Sequence, residues 1–337
     1  MRIVAKAPCR VDLAGGTLDI WPLYLNHPGA VTVNFAVNRY ASCAIETRAT
    51  PEIALRSRDL KTEEAFPSLE EMRQATKFKL PLLSYVLRFF GAPSGLSLET
   101  DSEAPAGAGI SGSSALIIAI ASALNRLMKT GYNIEKIREV SQNIEAQIIH
   151  VPTGCQDYYP AMYGGVSAIE LSPAGIKRVA IPLDLADFNE RIVLAYTGEP
   201  RNSGINNWEV TKAYIDGDRK VHRNFERIAA IAISMRVALE KQDWVEAGRL
   251  LREEWSNRYK NAPGISTSLI DDLIRITRKA GALGGKVCGA GGGGCVFFLV
   301  ERGARAKVTE AIETRPGVTV LPIQVAPKGV SIKAVER

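Results

Sequence analysis

The stretch APAGAGISGSSALIIAIASAL, residues 104–124, joins a glycine-rich loop to a long apolar segment. In it, Gly107, Gly109 and Gly112 match the pattern G-x-G-x-x-G, which is typical of dinucleotide-binding loops. The same pattern recurs at residues 289–294, within CGAGGGGCVFF. These loops raise the question of whether the chain binds a dinucleotide or some other phosphate, and the elements around them bear on the answer.

The elements around both loops do not fit a dinucleotide site. Such a site places its glycines directly between a strand and a helix, with an acidic residue about 20 positions further on. Here EAPA separates the strand-like GLSLETDS from the first glycines, and residues 129–132 contain no acid. The second loop runs directly into the apolar CVFFLV, with no helix after it. A Walker A loop is excluded too, because no lysine follows the glycines as G-K-[ST] requires.

The first loop ends in SGSSA, at the start of a predicted buried helix from Ser113 to Lys129. The N-terminus of a helix presents unpaired N–H groups and a partial positive charge. Glycine and serine let phosphate oxygens approach the backbone, and a hydroxyl can also ligate Mg²⁺. From this stretch alone two interpretations stay open: a phosphate loop, or a cap that only lets the helix pack tightly.

Composition excludes several classes of protein. The chain has 337 residues, 46% of them hydrophobic and 23% charged, as in an ordinary globular protein of two domains. No apolar run approaches the roughly 18 residues that span a bilayer, and the first residues lack a signal-peptide pattern, so a cytoplasmic location is expected. The net charge of +6 is dispersed among acids, which argues against nucleic acid as a partner. The five cysteines are scattered, with no C-x-x-C pair, which predicts reduced thiols. The three histidines do not occur at the spacing of metal ligands, so any metal is expected to be held by oxygen atoms.

Strands and helices alternate irregularly along the chain. Strands are expected at 2–8, 29–38, 39–48, 52–59, 95–102, 191–198, 295–300, 317–325 and 329–336. Helices are expected at 80–90, ending at Gly91, and from a cap at Asn133, with three more at 223–242, 244–259 and 266–282. Residues 151–171 are expected to form a loop running into a strand, and 196–208 a polar loop. This pattern predicts an α+β fold in two domains, with the junction at about 183–190.

Three stretches together resemble the signature motifs of one family, the GHMP kinases, which include galactokinase, homoserine kinase, mevalonate kinase and phosphomevalonate kinase. They are APCRVDLAGGTLD at 7–19, PAGAGISGSSA at 105–115 and KVCGAGGGGCVFFLV at 286–300. The first of them and TGCQDYYPAMYGG at 153–165 are similar to the sugar-kinase branch, namely the heptose 7-phosphate kinases, fucokinases and galactokinases. GGTLD departs from the Gly-Gly-Gly-Thr-Asp that heptose kinases usually carry.

The resemblance implies an N-terminal ribosomal-protein-S5-like domain at 1–185 and a C-terminal ferredoxin-like domain at 186–337. It also implies an ATP- and Mg²⁺-dependent kinase that transfers the γ-phosphoryl group to a hydroxyl of a sugar or sugar phosphate, the anomeric one being expected. The expected partners are small molecules, with the enzyme a monomer or homodimer and no nucleic acid or membrane involved. Two alternatives stay open: a mevalonate-type isoprenoid-alcohol kinase, against which Arg10 and Asp19 argue, and a non-catalytic sugar sensor.

The family motifs also imply roles for individual residues. Asp157 would be the catalytic base or orient the hydroxyl, with Arg10 holding it ionised and stabilising the moving phosphoryl group. Ser114 and Glu145 would hold Mg²⁺. The nucleotide would be bound by Gly107, Ala108, Gly109, Ile110, Ser111, Gly112, Ser113 and Ser114, and the substrate by Asp19, Gly16, Thr153, Gly154, Arg201 and Gly291. His27, a few residues after Asp19, has two interpretations: a place near the same substrate pocket, or an exposed position in a loop.

Overall fold

A computed structural model describes residues 1–92, 95–200 and 203–335. The strands are β1 (Arg2–Ala14), β2 (Val31–Thr47), β3 (Ile53–Ser57), β4 (Thr62–Phe66), β5 (Leu96–Ser102), β6 (Val166–Ser172), β7 (Gly175–Ala180), β8 (Ile192–Tyr196), β9 (Ala282–Val287), β10 (Cys295–Val300), β11 (Thr319–Leu321) and β12 (Ser331–Val335). The helices are α1 (Leu69–Gln74), α2 (Pro81–Phe90), α3 (Gly112–Met128), α4 (Ile134–Ile149), α5 (Tyr158–Tyr163), α6 (Leu185–Asn189), α7 (Ser203–Ile215), α8 (Arg219–Glu240), α9 (Trp244–Arg258), α10 (Ser268–Ala280) and α11 (Arg305–Glu313).

These strands form two sheets within the described residues. The larger has the order β12-β1-β2-β5-β3-β4, with β6 paired to β2 and β7 paired to β6. Its pairs are antiparallel except β3 with β5. The smaller is antiparallel with the order β11-β8-β10-β9. Helices pack on both sheets without a repeating β-α-β unit, so the predicted α+β class is confirmed.

The helix boundaries follow local chemistry. Gly91 ends α2 in the left-handed conformation that glycine adopts most easily. The Asn133 side chain caps α4 by accepting a hydrogen bond from the Lys136 amide at 2.8 Å. The apolar α3 begins at Gly112, within one residue of its predicted start, and packs against β1 and β2. Among the described residues, no helix has both the length and the apolar character that crossing a bilayer would require.

Three predictions about local structure are wrong. The two strands predicted at 29–38 and 39–48 are the single strand β2, because the pair Asn38 and Arg39 is accommodated as a bulge opposite the Pro8–Cys9 step. Residues 151–171 contain the short helix α5, in whose first turn a proline is tolerated. The polar segment 196–208 is a loop only as far as residue 200, since α7 begins at Ser203.

The last strand returns to the first sheet. β12 pairs antiparallel with β1, with Ala334 opposite Ile3 and Ser331 opposite Lys6. The second sheet and its helices α10 and α11 enclose a smaller apolar core of their own. The division into 1–185 and 186–337 therefore stays a proposal, in which the C-terminal strand completes the sheet of the first unit.

The two glycine loops of the sequence meet in space. The Cys295 amide donates to the Ala108 carbonyl at 2.7 Å, and the Thr197 amide donates to the Gly294 carbonyl at 3.0 Å. A Cβ on Gly294 would lie 2.7 Å from the Ala108 oxygen, at a φ of +77° that disfavours any other residue. The first glycine loop, which precedes α3, is thus held directly against the second glycine loop, which joins β9 to β10.

Candidate active site

An ion pair joins Arg10 of β1 to Asp157 at the start of α5. Arg10 Nη2 and Nε lie 2.7 and 2.9 Å from Asp157 Oδ1, and Arg10 Nη1 donates to the Gly109 carbonyl at 2.9 Å. The Arg10 side chain is 3% exposed and that of Asp157 29%. Both bonds end on Oδ1, and none of the described residues donates to Oδ2. One carboxylate oxygen thus stays available at the surface of a cavity of about 390 Å³.

Arg10 is a permanent cation in this position. Burial alone would lower its pKa, but the carboxylates of Asp157 and Asp12 raise the pKa above its usual value. A fixed positive charge beside Asp157 therefore faces the cavity at every accessible pH.

The loop before α3 lines the same cavity. Gly107, Gly109 and Ser111 have φ values of +68°, +77° and +59°, so the loop uses the left-handed conformation three times. Of the eight residues predicted to bind nucleotide, Gly107–Ser114, all but Ile110 line the cavity. Ile110 is buried, and its carbonyl accepts the Arg10 amide at 2.9 Å. Ile110 therefore holds the loop on β1 instead of facing a ligand.

Glu145 of α4 is buried among hydroxyl groups. Ser113 Oγ donates to its Oε1 at 2.6 Å, and Ser114 Oγ and the Tyr158 hydroxyl donate to Oε2 at 3.0 and 2.6 Å. Burial raises the pKa of Glu145, against the lowering effect of these hydrogen bonds. The predicted pair of Ser114 and Glu145 is thus brought together, whereas Tyr158 was missed, although it directly follows Asp157 in the sequence.

The oxygen atoms around Glu145 fit a small hard cation. A carboxylate and two serine hydroxyls at the N-terminus of α3 are ligand types that Mg²⁺ accepts, and this ion commonly takes one or two carboxylates and completes its shell with phosphates and water. In the part of the chain that the structure describes, no three His, Cys, Asp or Glu residues form a metal cluster.

Asp19 contacts Gln156, the residue that precedes Asp157. Its Oδ2 accepts the Gln156 amide at 2.8 Å and its Oδ1 accepts Gln156 Nε2 at 3.3 Å. A Cβ on Gly154 would lie 2.0 Å from Asp19 Oδ2, so only glycine fits there. Burial and, next, the negative charge of Asp157 raise the pKa of Asp19 to about 7. Asp19, Gly154 and Thr153, for which the sequence predicts contacts with the substrate, all line the cavity.

Besides Ile110, three further residues of the sequence analysis, Gly16, Gly291 and His27, do not line the cavity among the described residues. Gly16 packs beneath it, where a Cβ would lie 2.5 Å from Arg258 Nη1, and Gly291 packs against the Ile265 carbonyl, where a Cβ would lie 2.4 Å from its oxygen. Their predicted contacts with the substrate stay predictions. His27 is neither exposed nor in the cavity, because it is buried and hydrogen-bonded to the Tyr214 hydroxyl at 3.0 Å. Arg201 lies outside the described residues.

Sequence reasoning missed two further parts of the wall. One consists of apolar side chains and includes Leu80, Leu82, Leu116 and Val151. The other comes from segments outside the first loop and includes Asp12, Thr17, Arg258, Gly289, Ala290 and Asn207. Asp12 could have been found from its position two residues after Arg10, because alternate residues of a strand share a face. The others come from distant segments that no local pattern links to the first loop.

These features define what the cavity can do. It offers apolar side chains for a flat ring, a helix N-terminus for phosphates, a carboxylate–hydroxyl group for a cation and carboxylates for hydroxyl groups. A cation and a carboxylate, Arg10 and Asp157, stand between the phosphate-type and hydroxyl-type regions. This order along one cavity is suited to transfer of a phosphoryl group to an alcohol.

The chain is similar to two family models and to several known proteins. Residues 77–165 match the family model described as the GHMP kinases N terminal domain, and residues 235–318 match that of the GHMP kinases C terminal domain. A D-glycero-alpha-D-manno-heptose 7-phosphate kinase of Campylobacter jejuni is 27% identical over 324 residues, which cover 94% of each chain. A mevalonate kinase of Thermococcus sibiricus is 24% identical, over 95% of this chain and 96% of that one. The crystal structure of a D-glycero-D-manno-heptose 1-phosphate kinase from Bacteroides thetaiotaomicron has the same fold, with a TM-score of 0.79 at 24% identity over 99% of this chain and 100% of that one.

Proposed function

The chain belongs to the GHMP kinases and is therefore a phosphotransferase with an alcohol group as acceptor, and we propose that the acceptor is a sugar or sugar phosphate and the donor ATP with Mg²⁺. The observation that carries this proposal is the Arg10–Asp157 ion pair, which lies between the phosphate-type loop and Asp19 in one cavity. We further propose the anomeric hydroxyl as the acceptor group, the position that the family resemblance implies.

The nucleotide would bind across the loop before α3. Its phosphates would be hydrogen-bonded by backbone N–H groups at the N-terminus of the 17-residue α3, where the helix dipole favours negative charge. Its base would lie against apolar side chains of the cavity wall such as Leu80 and Leu116. This orientation directs the terminal phosphate towards Arg10 and Asp157.

Asp157 and Arg10 would act on the acceptor hydroxyl. Asp157 Oδ2 would accept the hydroxyl proton or orient the hydroxyl for attack, while Oδ1 stays on Arg10. Arg10 would stabilise the negative charge that spreads over the transferring group. Mg²⁺, held by Ser114 and Glu145 together with the phosphates, would supply electrostatic neutralisation of the polyphosphate.

Asp19 supports a sugar as the acceptor. An ionised carboxylate accepts hydrogen bonds from two neighbouring hydroxyls, as a sugar ring offers them. Mevalonate carries two hydroxyls that are not on adjacent carbons, so it would use this carboxylate less well. The heptose kinase relative is named for a sugar phosphate substrate. Because another relative is a mevalonate kinase, mevalonate is included among the substrates to be tested.

A coupled assay of ADP release tests this proposal. Free and phosphorylated heptoses, fucose, galactose, mannose and mevalonate would each be offered with ATP and Mg²⁺. We expect turnover with at least one sugar or sugar phosphate and none with mevalonate. Turnover with mevalonate alone would replace the proposal by the isoprenoid-alcohol kinase. Sugar binding without any turnover would replace it by a sensor.

The Glu145→Gln variant is expected to need about tenfold more Mg²⁺ for half its maximal rate, because the neutral amide binds a hard cation less tightly than a carboxylate does. Calorimetric titration of ADP at several Mg²⁺ concentrations should show the same shift without relying on turnover. Glu139→Gln is the matched control, since Glu139 is exposed on the same helix and pairs with Lys136 at 3.2 Å. An unchanged Mg²⁺ dependence in Glu145→Gln would refute the assignment of Glu145.

The rate is expected to depend on pH through Asp19. Because the pKa of Asp19 is raised to about 7, its carboxyl is mostly protonated below that pH and cannot accept from substrate hydroxyls with both oxygens. At saturating ATP, kcat/KM for the sugar should fall about tenfold per pH unit below pH 7 and level off above it. Asp19→Asn should have a lower kcat/KM whose profile is flatter over this range. Equal slopes in both proteins would contradict the role of Asp19.

A further inference from the structure

Four charged side chains form a buried cluster that reaches the cavity wall: Asp12 of β1, Glu254 and Arg258 of α9, and Lys286 of β9. Lys286 Nζ lies 2.7 Å from Asp12 Oδ2 and 3.0 Å from Glu254 Oε1. Arg258 Nη1 lies 3.4 and 3.3 Å from the same two oxygens. No side chain of the four is more than 7% exposed. We call this group the charge cluster.

Stability is a weak explanation for the charge cluster. Bringing charges out of water is costly, and an apolar group of similar volume is often as stable as a buried ion pair. The cluster also leaves Asp12 Oδ1 and Glu254 Oε2 without a partner among the described residues. Burial would raise the pKa of Asp12, but Lys286 and Arg258 lower it below its ordinary value, so the carboxylate stays charged. An arrangement of this cost points to a role in placing its neighbours.

The neighbours of the charge cluster are parts of the active site. Asp12 follows Arg10 by two residues on β1, which puts both side chains on one face of the strand. Arg258 Nη2 donates to the Gly289 carbonyl at 2.9 Å and lies 3.4 Å from Thr17 Oγ1. Asp12, Arg258, Thr17 and Gly289 line the cavity, whereas Lys286 does not. The cluster thus connects the strand of the catalytic ion pair with the second glycine loop.

The loop after β1 is shaped to admit the charge cluster. A Cβ on Gly16 would lie 2.5 Å from Arg258 Nη1 and 2.6 Å from Asp12 Oδ2. Gly16 has no positive φ, so its need for glycine here is one of space and not of backbone conformation. The backbone at Gly16 therefore packs directly against the contact between Asp12 and Arg258.

The two cations of the charge cluster make different contacts. Lys286 takes the short contacts to both carboxylates, while the contacts of Arg258 to them are long and its short hydrogen bond goes to Gly289. Without Lys286, Asp12 and Glu254 would each retain Arg258 as the nearest cation of the cluster. Arg258 would then be drawn towards the carboxylates and away from the Gly289 carbonyl.

We propose that Lys286 is a positioning residue for phosphoryl transfer: by satisfying Asp12 and Glu254 it keeps Arg258 on the Gly289 carbonyl, and so holds the second glycine loop against the nucleotide loop. The two glycine loops touch through the hydrogen bond from the Cys295 amide to the Ala108 carbonyl. A displacement of Gly289 therefore changes the part of the cavity wall that faces the acceptor substrate. The effect on the reaction rests on the proposed function, whereas the effect on loop order does not.

Hydrogen exchange of the Lys286→Met variant tests the proposal without a substrate. Three amides of the second loop are hydrogen-bonded: Gly292 to the Ile265 carbonyl and Gly294 to the Glu199 carbonyl, each at 2.9 Å, and Cys295 to the Ala108 carbonyl at 2.7 Å. Peptides covering 289–295 should exchange about tenfold faster in the variant, while peptides within α3 should not change. Unchanged exchange at 289–295 would overturn the proposal.

Steady-state kinetics add a second readout with the sugar found in the ADP-release screen. Lys286→Met should lower kcat about tenfold and leave KM for ATP within about twofold, because the loop before α3 keeps its own contacts. Arg236→Met is the matched control. It removes an ion pair of 2.7 Å between α8 and Glu170 of β6, away from the cavity, and should leave both readouts unchanged. If no sugar is phosphorylated by the unaltered enzyme, the proposed function fails while the exchange experiment still decides the inference.

The double variant Lys286→Met/Glu254→Gln separates positioning from stability. It removes one positive and one negative charge, so its midpoint in urea should recover towards that of the unaltered protein even if Lys286→Met alone folds poorly. Arg258 would still be drawn to Asp12, and we therefore expect fast exchange at 289–295 and a low kcat to persist. Recovery of loop exchange and kcat together with stability would mean that Lys286 is only structural.

Discussion

Replacing Asp157 by asparagine is expected to lower kcat about a thousandfold while leaving KM for ATP within about twofold. The amide cannot accept the proton of the acceptor hydroxyl, and its oxygen polarises that hydroxyl less than a carboxylate does. Arg10, the nucleotide loop and the Glu145 group do not depend on the missing charge for their contacts with the phosphates. Initial rates of ADP release at saturating ATP and sugar, with ADP binding measured by calorimetry, check this expectation.

Asp184→Asn is the matched control for this substitution. Asp184 caps α6 by accepting the Ala186 amide at 2.9 Å, and asparagine caps helices about as well as aspartate. The control should therefore keep full activity and the same midpoint in urea. If Asp157→Asn retained more than a tenth of the unaltered kcat, Asp157 would be an ion-pair partner of Arg10 and not the catalytic base.

Replacing Arg10 by methionine is expected to lower kcat about a hundredfold and the free energy of unfolding by about 3 kcal/mol. The loss of activity follows from the missing positive charge at the transferring phosphoryl group. The loss of stability follows from the remaining charge of Asp157 and the vacated bond to the Gly109 carbonyl. Steady-state rates and equilibrium unfolding in urea measure the two effects separately.

Arg10→Lys distinguishes charge from geometry. A lysine keeps the positive charge, but a single ammonium group cannot reproduce the planar set of bonds that Arg10 makes to Asp157 and to the Gly109 carbonyl. We expect kcat and stability between those of the unaltered protein and Arg10→Met. An Arg10→Met protein with unaltered kcat would reduce Arg10 to a structural ion pair.

The family and the fold class could be predicted from the sequence because their signals are local. Three short motifs in a fixed order indicated the family, and the two matching domain models confirm it. The caps at Gly91 and Asn133 needed only the chemistry of neighbouring residues. The same local reasoning failed at residues 29–48, where pairing to β1 carries β2 through the bulge at Asn38.

The candidate site was predicted in part. The structure pairs Arg10 with Asp157 and Ser114 with Glu145. Because these residues are far apart in the chain, only the family motifs linked them beforehand. Their catalytic and metal-binding roles stay predictions until the variants are measured. Tyr158 escaped because its bond to Glu145 depends on how α5 faces α4, which residue spacing within either helix does not reveal.

The sequence by itself determined that a loop of small residues precedes a buried helix, because glycine conformation and the free N–H groups of a helix start are properties of consecutive residues. Only the tertiary structure decided that the second glycine pattern lies against the first, through the Cys295 amide and the Ala108 carbonyl. It alone also brought Lys286 to Asp12, 274 positions away in the chain. The partner of a buried charge depends on which distant elements pack next to it, so no local sequence pattern predicts that partner.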